Sequence, residues 1–271
     1  MADLGSLTAE FEKFWPGSHA EEWDRVGLLT GSKGSHVDTV LVAVDLTEAV
    51  IDEALKLKAQ LIVTHHPFLL KPIVSVADDQ LKGKLLGRLI RNNVAVFSAH
   101  TNADVQTDGA STLMATAFGL QKLEPLASSM GGFGHGVIGE LPEDTTLDVF
   151  AARVAEQLPK TARKVAFAGN PQAKIRKVAV CSGAGDSFIP IVLASDADVY
   201  VTSDLRHHPT QDAVATPRET GQLSLIDVAH WAAESLWVNA AVQRIESIGT
   251  LKVLASAINT DPWTQEVNPN A

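Results

Sequence analysis

The chain has a single cysteine, Cys181, among 271 residues, so no intramolecular disulfide can form and a reducing compartment fits. It also has no long apolar run. The longest are strand-length, far short of the roughly 20 residues that a membrane-spanning helix needs, so the reading is a soluble protein with no membrane partner. Basic charge is scarce: 22 Lys and Arg stand against 32 Asp and Glu, for a formal net charge of -10 and a pI near 5.3. Nucleic-acid phosphates are bound by clustered Lys and Arg, so general nucleic-acid binding is not expected. Residues 1–15 carry acidic side chains at amphipathic spacing instead of a cationic start and an apolar core. No secretory leader is visible there, and the expected location is cytoplasmic. No linker of disordered composition separates the halves. What the chain does have is 45% hydrophobic residues, enough for a substantial core in one large domain or two of ordinary size.

The stretch around which the rest is organised is Val63-Thr64-His65-His66-Pro67. The β-branched run Leu61-Ile62-Val63 reads as a buried strand, and Pro67 stops it just after two histidines. Open α/β sheets bind ligands at such strand ends. Neighbouring strand residues point to opposite faces, so two adjacent imidazoles can converge only if the strand has ended or kinked there.

In order, the chain opens with a helix over residues 7–14 and a break at Trp15-Pro16-Gly17. Then Trp23-Asp24-Arg25-Val26-Gly27-Leu28 reads as a loop entering an edge strand, with Trp23 expected to pack and Asp24 to cap a turn or line a site. A βαβ pattern follows: strand 40–44, turn Asp45-Leu46-Thr47, helix 48–58, strand 61–63, helix 80–92 and strand 94–98. Beyond the last strand come His100 and, four residues on, Asp104. Residues 131–136 form a glycine-rich turn that makes a weak phosphate cradle. A helix over 145–158 and a strand over 165–167 complete the middle.

The second half then repeats the first. Strand 177–181 corresponds to 40–44, helix 187–194 follows, and Ala197-Asp198-Val199-Tyr200-Val201-Thr202 corresponds to Ala59-Gln60-Leu61-Ile62-Val63-Thr64. Strand 223–227 corresponds to 94–98, and His230 and Glu234 repeat the spacing of His100 and Asp104. The pattern reads as two duplicated halves placing polar residues at equivalent strand ends. Cys181, at the end of its strand, reads as a buried, inert thiol.

A histidine and a carboxylate at i and i+4 share a face of a helical segment, so each pair can grip one ion. With His65 and His66, the inventory is four imidazoles and two carboxylates. That suits two divalent ions of borderline hardness, zinc, manganese, iron, cobalt or nickel, with Asp104 and Glu234 as bridging candidates. Six side chains shared by two ions leave positions open for water or substrate, the mark of a catalytic site.

These residues also carry a resemblance. Trp23-Asp24-x-Val26-Gly27-Leu28, Thr64-His65-His66-Pro67, Ala99-His100-Thr101-x-x-Asp104, Ala197-Asp198-Val199-Tyr200-Val201-Thr202-x-Asp204 and His230-x-x-x-Glu234 together cover nearly the whole chain. The chain resembles the Nif-three-like (NGG-interacting factor three) family of dinuclear-metal-centre hexameric proteins, described also as the type 2 form of GTP cyclohydrolase I. The resemblance implies metal ligation by His65, His66, His100, Asp104, His230 and Glu234. It also implies an α/β fold of two similar intertwined halves in three α/β/α layers, and a toroidal homohexamer. Where family members commonly have glycine this chain has Ser203 and Ala229, and Pro209 stands where an aspartate is usual; these departures touch substrate contacts. The segment 127–168 is too short to hold the extra domain that some relatives insert, so the compact form is expected.

The expected halves are residues 1–125, carrying His65, His66, His100 and Asp104, and residues 126–271, carrying Asp204, His208, His230 and Glu234. The expected function is a metal-dependent hydrolase acting on a nucleotide. The resemblance implies attack by water at C8 of guanine, with ring opening and loss of formate. Asp204 and His208 are the candidates for proton transfer or substrate orientation, ahead of His207 and Asp45. The alternatives are a non-catalytic metal- or metabolite-binding hexameric adaptor and an orphan phosphoester hydrolase.

Overall fold

A computed structural model describes residues 2–128 and 134–267. In chain order the first elements are β1 (Ala2–Asp3), α1 (Leu4–Phe14), β2 (Gly27–Thr30), β3 (His36–Val37), β4 (Thr39–Ala43), α2 (Glu48–Leu57), β5 (Leu61–Thr64), α3 (Leu81–Arg91) and β6 (Ala95–Ser98). Then come α4 (Thr101–Asp104), α5 (Ala110–Ala117), β7 (Gln121–Ser128), β8 (Gly134–Thr146), α6 (Leu147–Gln157), β9 (Ala166–Ala168) and β10 (Lys174–Ala184). The last are α7 (Ile189–Ala194), β11 (Val199–Ser203), α8 (His207–Ala215), β12 (Ser224–Val228), α9 (His230–Glu246) and β13 (Lys252–Ala255). Two compact units share this chain, one drawn from Met1–Ala103 and Trp237–Thr260, the other from Asp104–Leu236 and Asp261–Ala271. The units interleave in sequence, and the expected boundary at 125/126 falls inside β7.

The first unit is built on a five-stranded sheet in the order β13-β4-β5-β6-β2. β13, β4, β5 and β6 run parallel, and β2 closes the edge antiparallel to β6. Parallel strands covered on both faces read as continuous apolar runs, which is why β4, β5 and β6 are so easily seen in the sequence. On one face α2 and α3 pack Val50, Ile51, Ala54, Leu85 and Leu89 against Leu41, Ile62 and Val96. On the other, the Phe11 ring of α1 meets Phe97 edge-on at 5.0 Å, and Trp15 stands 5.6 Å from Trp237. Helix α2 starts where the Thr47 hydroxyl accepts the Val50 N–H. It stops one residue earlier than the sequence suggests, because Lys58 turns into the left-handed region at φ 55°.

The second unit carries a six-stranded sheet in the order β7-β8-β10-β11-β12-β9, with β10, β11 and β12 parallel and the flanking strands antiparallel. Helices α5 and α6 and the start of α9 cover one face through Met114, Phe150, Val154 and Ala233. Helices α7 and α8 cover the other through Ile189, Val192 and Ala213. The strand order matched in sequence recurs: β4-β5-β6 here and β10-β11-β12 there, each followed by an antiparallel edge strand. The other flank differs, parallel β13 beside β4 and antiparallel β8 beside β10. Of the glycine-rich turn, residues 131–133 lie outside the described residues, and Gly134 to Gly136 already belong to β8.

Candidate metal centre

In the first unit the β5 backbone keeps pairing beyond the strand proper. His65 N–H donates to Ala43 O at 3.1 Å and His66 N–H to Val44 O at 2.9 Å, so both histidines are seated at the carboxyl end of the sheet. The strand ends at Thr64 and the chain bends at His65 and His66, where their side chains come to one place. The rings of His65, His66 and His100 lie 5.3 to 5.5 Å apart, and one ligand nitrogen from each falls within 4.8 Å of the others. His65 is fully buried against the Trp237 ring at 5.0 Å.

Each of these imidazoles spends its Nδ1 on an oxygen. His65 Nδ1 donates to Ala99 O at 3.0 Å, His66 Nδ1 to Asp45 Oδ1 at 2.7 Å and His100 Nδ1 to Asp24 Oδ1 at 2.9 Å. A carbonyl or an ionised carboxylate cannot donate, so Nδ1 carries the proton of each bond and Nε2 is the nitrogen turned away from it. Metal-binding histidines carry such outer partners, which fix the tautomer and raise the basicity of the ligating nitrogen. Asp24 is held from both sides, since Thr101 N–H donates to its Oδ2 at 3.1 Å and the Thr101 hydroxyl at 2.5 Å. Burial pushes the Asp24 carboxyl up, but the bonds from His100 and Thr101 outweigh it and hold the group far below the usual carboxylate range.

The second unit holds the other donors. His230 opens α9 directly after β12, and its Nδ1 donates to Asp204 Oδ2 at 2.7 Å. One helical turn on, Glu234 Oε1 lies 3.0 Å from His230 Nε2. Glu234 is buried, and its charge is the main reason the His230 imidazole is raised to about 11 against the opposing effect of burial. Gly183, at φ +70°, makes room: a Cβ there would stand 2.6 Å from Glu234 Oε1. Cys181 is raised to about 12, first by burial and then by Asp104, with Glu234 a further contributor, so both carboxylates lie within electrostatic range of this one thiol. The thiol stays protonated, as the sequence suggests.

The donors fit a divalent ion of borderline hardness. Three imidazoles in one unit, and an imidazole beside a buried carboxylate in the other, are nitrogen-rich sets without thiolate. These buried His and Glu groups can hold a metal.

A family model described as Duf34/NIF3 (NGG1p interacting factor 3) matches residues 2–262. The chain belongs to the DUF34/NIF3 family. A Streptomyces coelicolor relative named GTP cyclohydrolase 1 type 2 homolog is 39% identical, over 98% of this chain and 95% of that protein. A Mycobacterium bovis relative of the same name is 31% identical over 370 residues, covering 96% of each. That span exceeds the 271 residues here, so the mycobacterial relative carries segments with no counterpart in this compact DUF34/NIF3 chain. The crystal structure of a Bacillus cereus protein related to NIF3 superposes with a TM-score of 0.87 at 25% identity, over 96% of this chain and 98% of that one. A Staphylococcus aureus hypothetical protein gives 0.88 at 26%, over 97% and 99%.

For this DUF34/NIF3 member the structure places the remaining candidates as follows. Asp204 follows the last residue of β11, in the left-handed region at φ 56°, and is bound to His230. His208 is exposed in the first turn of α8, its ring 5.2 Å from that of His207. Trp23, expected to pack, stays out of the core at 54% exposure, with its ring edge-on 5.9 Å from His100. Asp24 and Asp45, ranked low from sequence, each hold a histidine. The signal for Asp45 was its place directly after a parallel strand, where open sheets gather their polar groups. The signal for Asp24 lies in no local pattern, because its partner is 76 residues away.

Proposed function

We propose that the two donor sets serve one dinuclear divalent-metal centre, ligated by His65, His66, His100, Asp104, His230 and Glu234, and that the chain is a metal-dependent hydrolase acting on a nucleotide. The observation that carries this is the shared chemistry of the four histidines: every Nδ1 is tied to an oxygen acceptor, which leaves Nε2 as the nitrogen for a ligand. The name shared by the relatives supports a GTP cyclohydrolase-like reaction. Asp104 and Glu234 are the proposed bridging carboxylates, and zinc, manganese, iron, cobalt and nickel all suit the donors.

Such ions supply acidity to water and polarise the bond under attack. The chain's own part is to hold the donors and to move protons. Opening the imidazole ring of guanine at C8 consumes one water, and release of formate consumes a second. Asp204 positions His230 and, with His208, is proposed to take up or deliver protons or to orient the substrate. A toroidal homohexamer in the cytoplasm is the proposed assembly and location. Among the described residues no helix is long and apolar enough to cross a membrane.

The test is to incubate metal-loaded protein with GTP and to follow ring opening and formate by mass spectrometry. Turnover above that of a Glu234→Ala control is expected. Metal retained without turnover on a panel of nucleotides would instead assign a binding module.

A further inference from the structure

The loop entering β2 is pinned far more tightly than an exposed turn requires. Asp24 receives His100 Nδ1, Thr101 N–H and the Thr101 hydroxyl, and Glu21 N–H donates to the same Thr101 hydroxyl at 3.0 Å. Those bonds fix the two residues that flank Asp24, and both side chains face solvent. Trp23 is 54% exposed beside His100, although an indole left in water forgoes burial that would stabilise the fold. Arg25 directs its guanidinium to two main-chain oxygens, Asp24 O at 2.5 Å and Glu22 O at 3.4 Å. No carboxylate among the described residues pairs with it.

Arg25 also stands at the edge of a cavity of about 250 Å³ whose other walls include Gly27, Leu29, Phe68, Leu69 and Ser98. The cavity lies at the carboxyl ends of β5 and β6, two residues from His66 on one side and two from His100 on the other. A second cation backs it: the Lys82 ammonium donates to Phe68 O at 2.6 Å and sits 3.8 Å over the Phe68 ring. In a chain of net charge -10, this guanidinium and this ammonium bring two cations to the wall of one cavity. A large amphipathic ring and an exposed guanidinium without a carboxylate partner, on one rigid loop, are what recognition of a flat, charged ligand needs.

We propose that the Trp23-Asp24-Arg25 loop is the recognition arm of the three-histidine site, taking a ligand that joins a planar aromatic ring to an anionic group, the ring against Trp23 and the anion toward Arg25. This rests on the metal-site reading above and names the class of ligand that site serves. Asp24 is a positioning residue, coupling the arm to His100.

The experiment is a binding titration of the zinc-loaded protein, followed by tryptophan fluorescence and calorimetry, with GTP, ATP, guanosine and inorganic tripolyphosphate as probes. GTP or ATP should quench the wild-type signal. Trp23→Leu should remove that quench and weaken nucleotide binding roughly tenfold, while Trp23→Phe restores the affinity. Arg25→Gln should weaken nucleotides and tripolyphosphate by a similar factor and leave guanosine unchanged. Trp23 is exposed, so melting temperatures of the variants should match the wild type. Failure of both nucleotides to bind, or binding indifferent to Trp23→Leu and Arg25→Gln, overturns the proposal. So does a Trp23→Leu variant that changes sedimentation but not affinity, which would make the indole a contact between copies of the chain. Binding without hydrolysis would leave the recognition arm standing and remove the hydrolase reading, whereas hydrolysis unaffected by both substitutions would do the reverse.

Discussion

At the scale of single residues, the oxygen behind each imidazole matters as much as the imidazole. Asp24→Asn keeps the size of the side chain but removes the charge that orients His100. Outer partners of this kind are worth roughly 10- to 100-fold in metal affinity. We expect Asp24→Asn to fold and to lose metal to a competing chelator by a factor in that range, measured by dye competition; unchanged affinity would make the Asp24–His100 bond incidental. Cys181 gives a residue-scale prediction of another kind. Its ordinary value of 9.0 is raised to about 12 by burial, with Asp104 adding to it. The unfolded thiol ionises above pH 9 while the folded one does not, so this group leaves stability untouched below pH 9 and lowers it as pH rises toward 12, by about 1.4 kcal/mol per unit. Urea midpoints measured at pH 8 and pH 10 should therefore fall further for wild type than for Cys181→Ala.

At the scale of elements, the helix ends show how local chemistry positions the site. Helix α3 is followed by Asn93 at φ 53°, a residue type that tolerates the left-handed region, but α2 ends on Lys58 at φ 55°, where a Cβ is strained. Lys58→Gly should raise stability by about 0.5 to 1 kcal/mol, read as a higher melting temperature, and Lys58→Val should lower it. The strands β4, β5, β6, β10, β11 and β12 were legible in the sequence because each is an apolar run buried on both faces. Strand β13 was not, because Lys252-Val253-Leu254-Ala255 is short and pairs with β4, more than two hundred residues earlier in the chain. Nor was β7, where Pro125 and charged residues interrupt a strand that a hairpin with β8 holds in place. The His and carboxylate candidates could be read because each follows a strand end. Their partners could not, because hydrogen bonds spanning 21 residues for His66 and 76 for His100 leave no periodic trace.

At the scale of the molecule, the chain splits its candidate ligands between two interleaved units, three imidazoles in one and an imidazole with carboxylates in the other. Under the proposed function, metal binding and folding are one equilibrium, because a bound ion stabilises only the folded chain. Chelation should therefore lower the melting temperature of the wild type and leave a His65→Ala/Glu234→Ala double variant unmoved. The most direct measurement is elemental analysis of tag-free protein purified without chelator, beside that double variant. About two divalent ions per chain, lost in the variant, is the result expected from the six ligands. Protein that holds no metal even after reconstitution would contradict the account and leave these six side chains to structure alone.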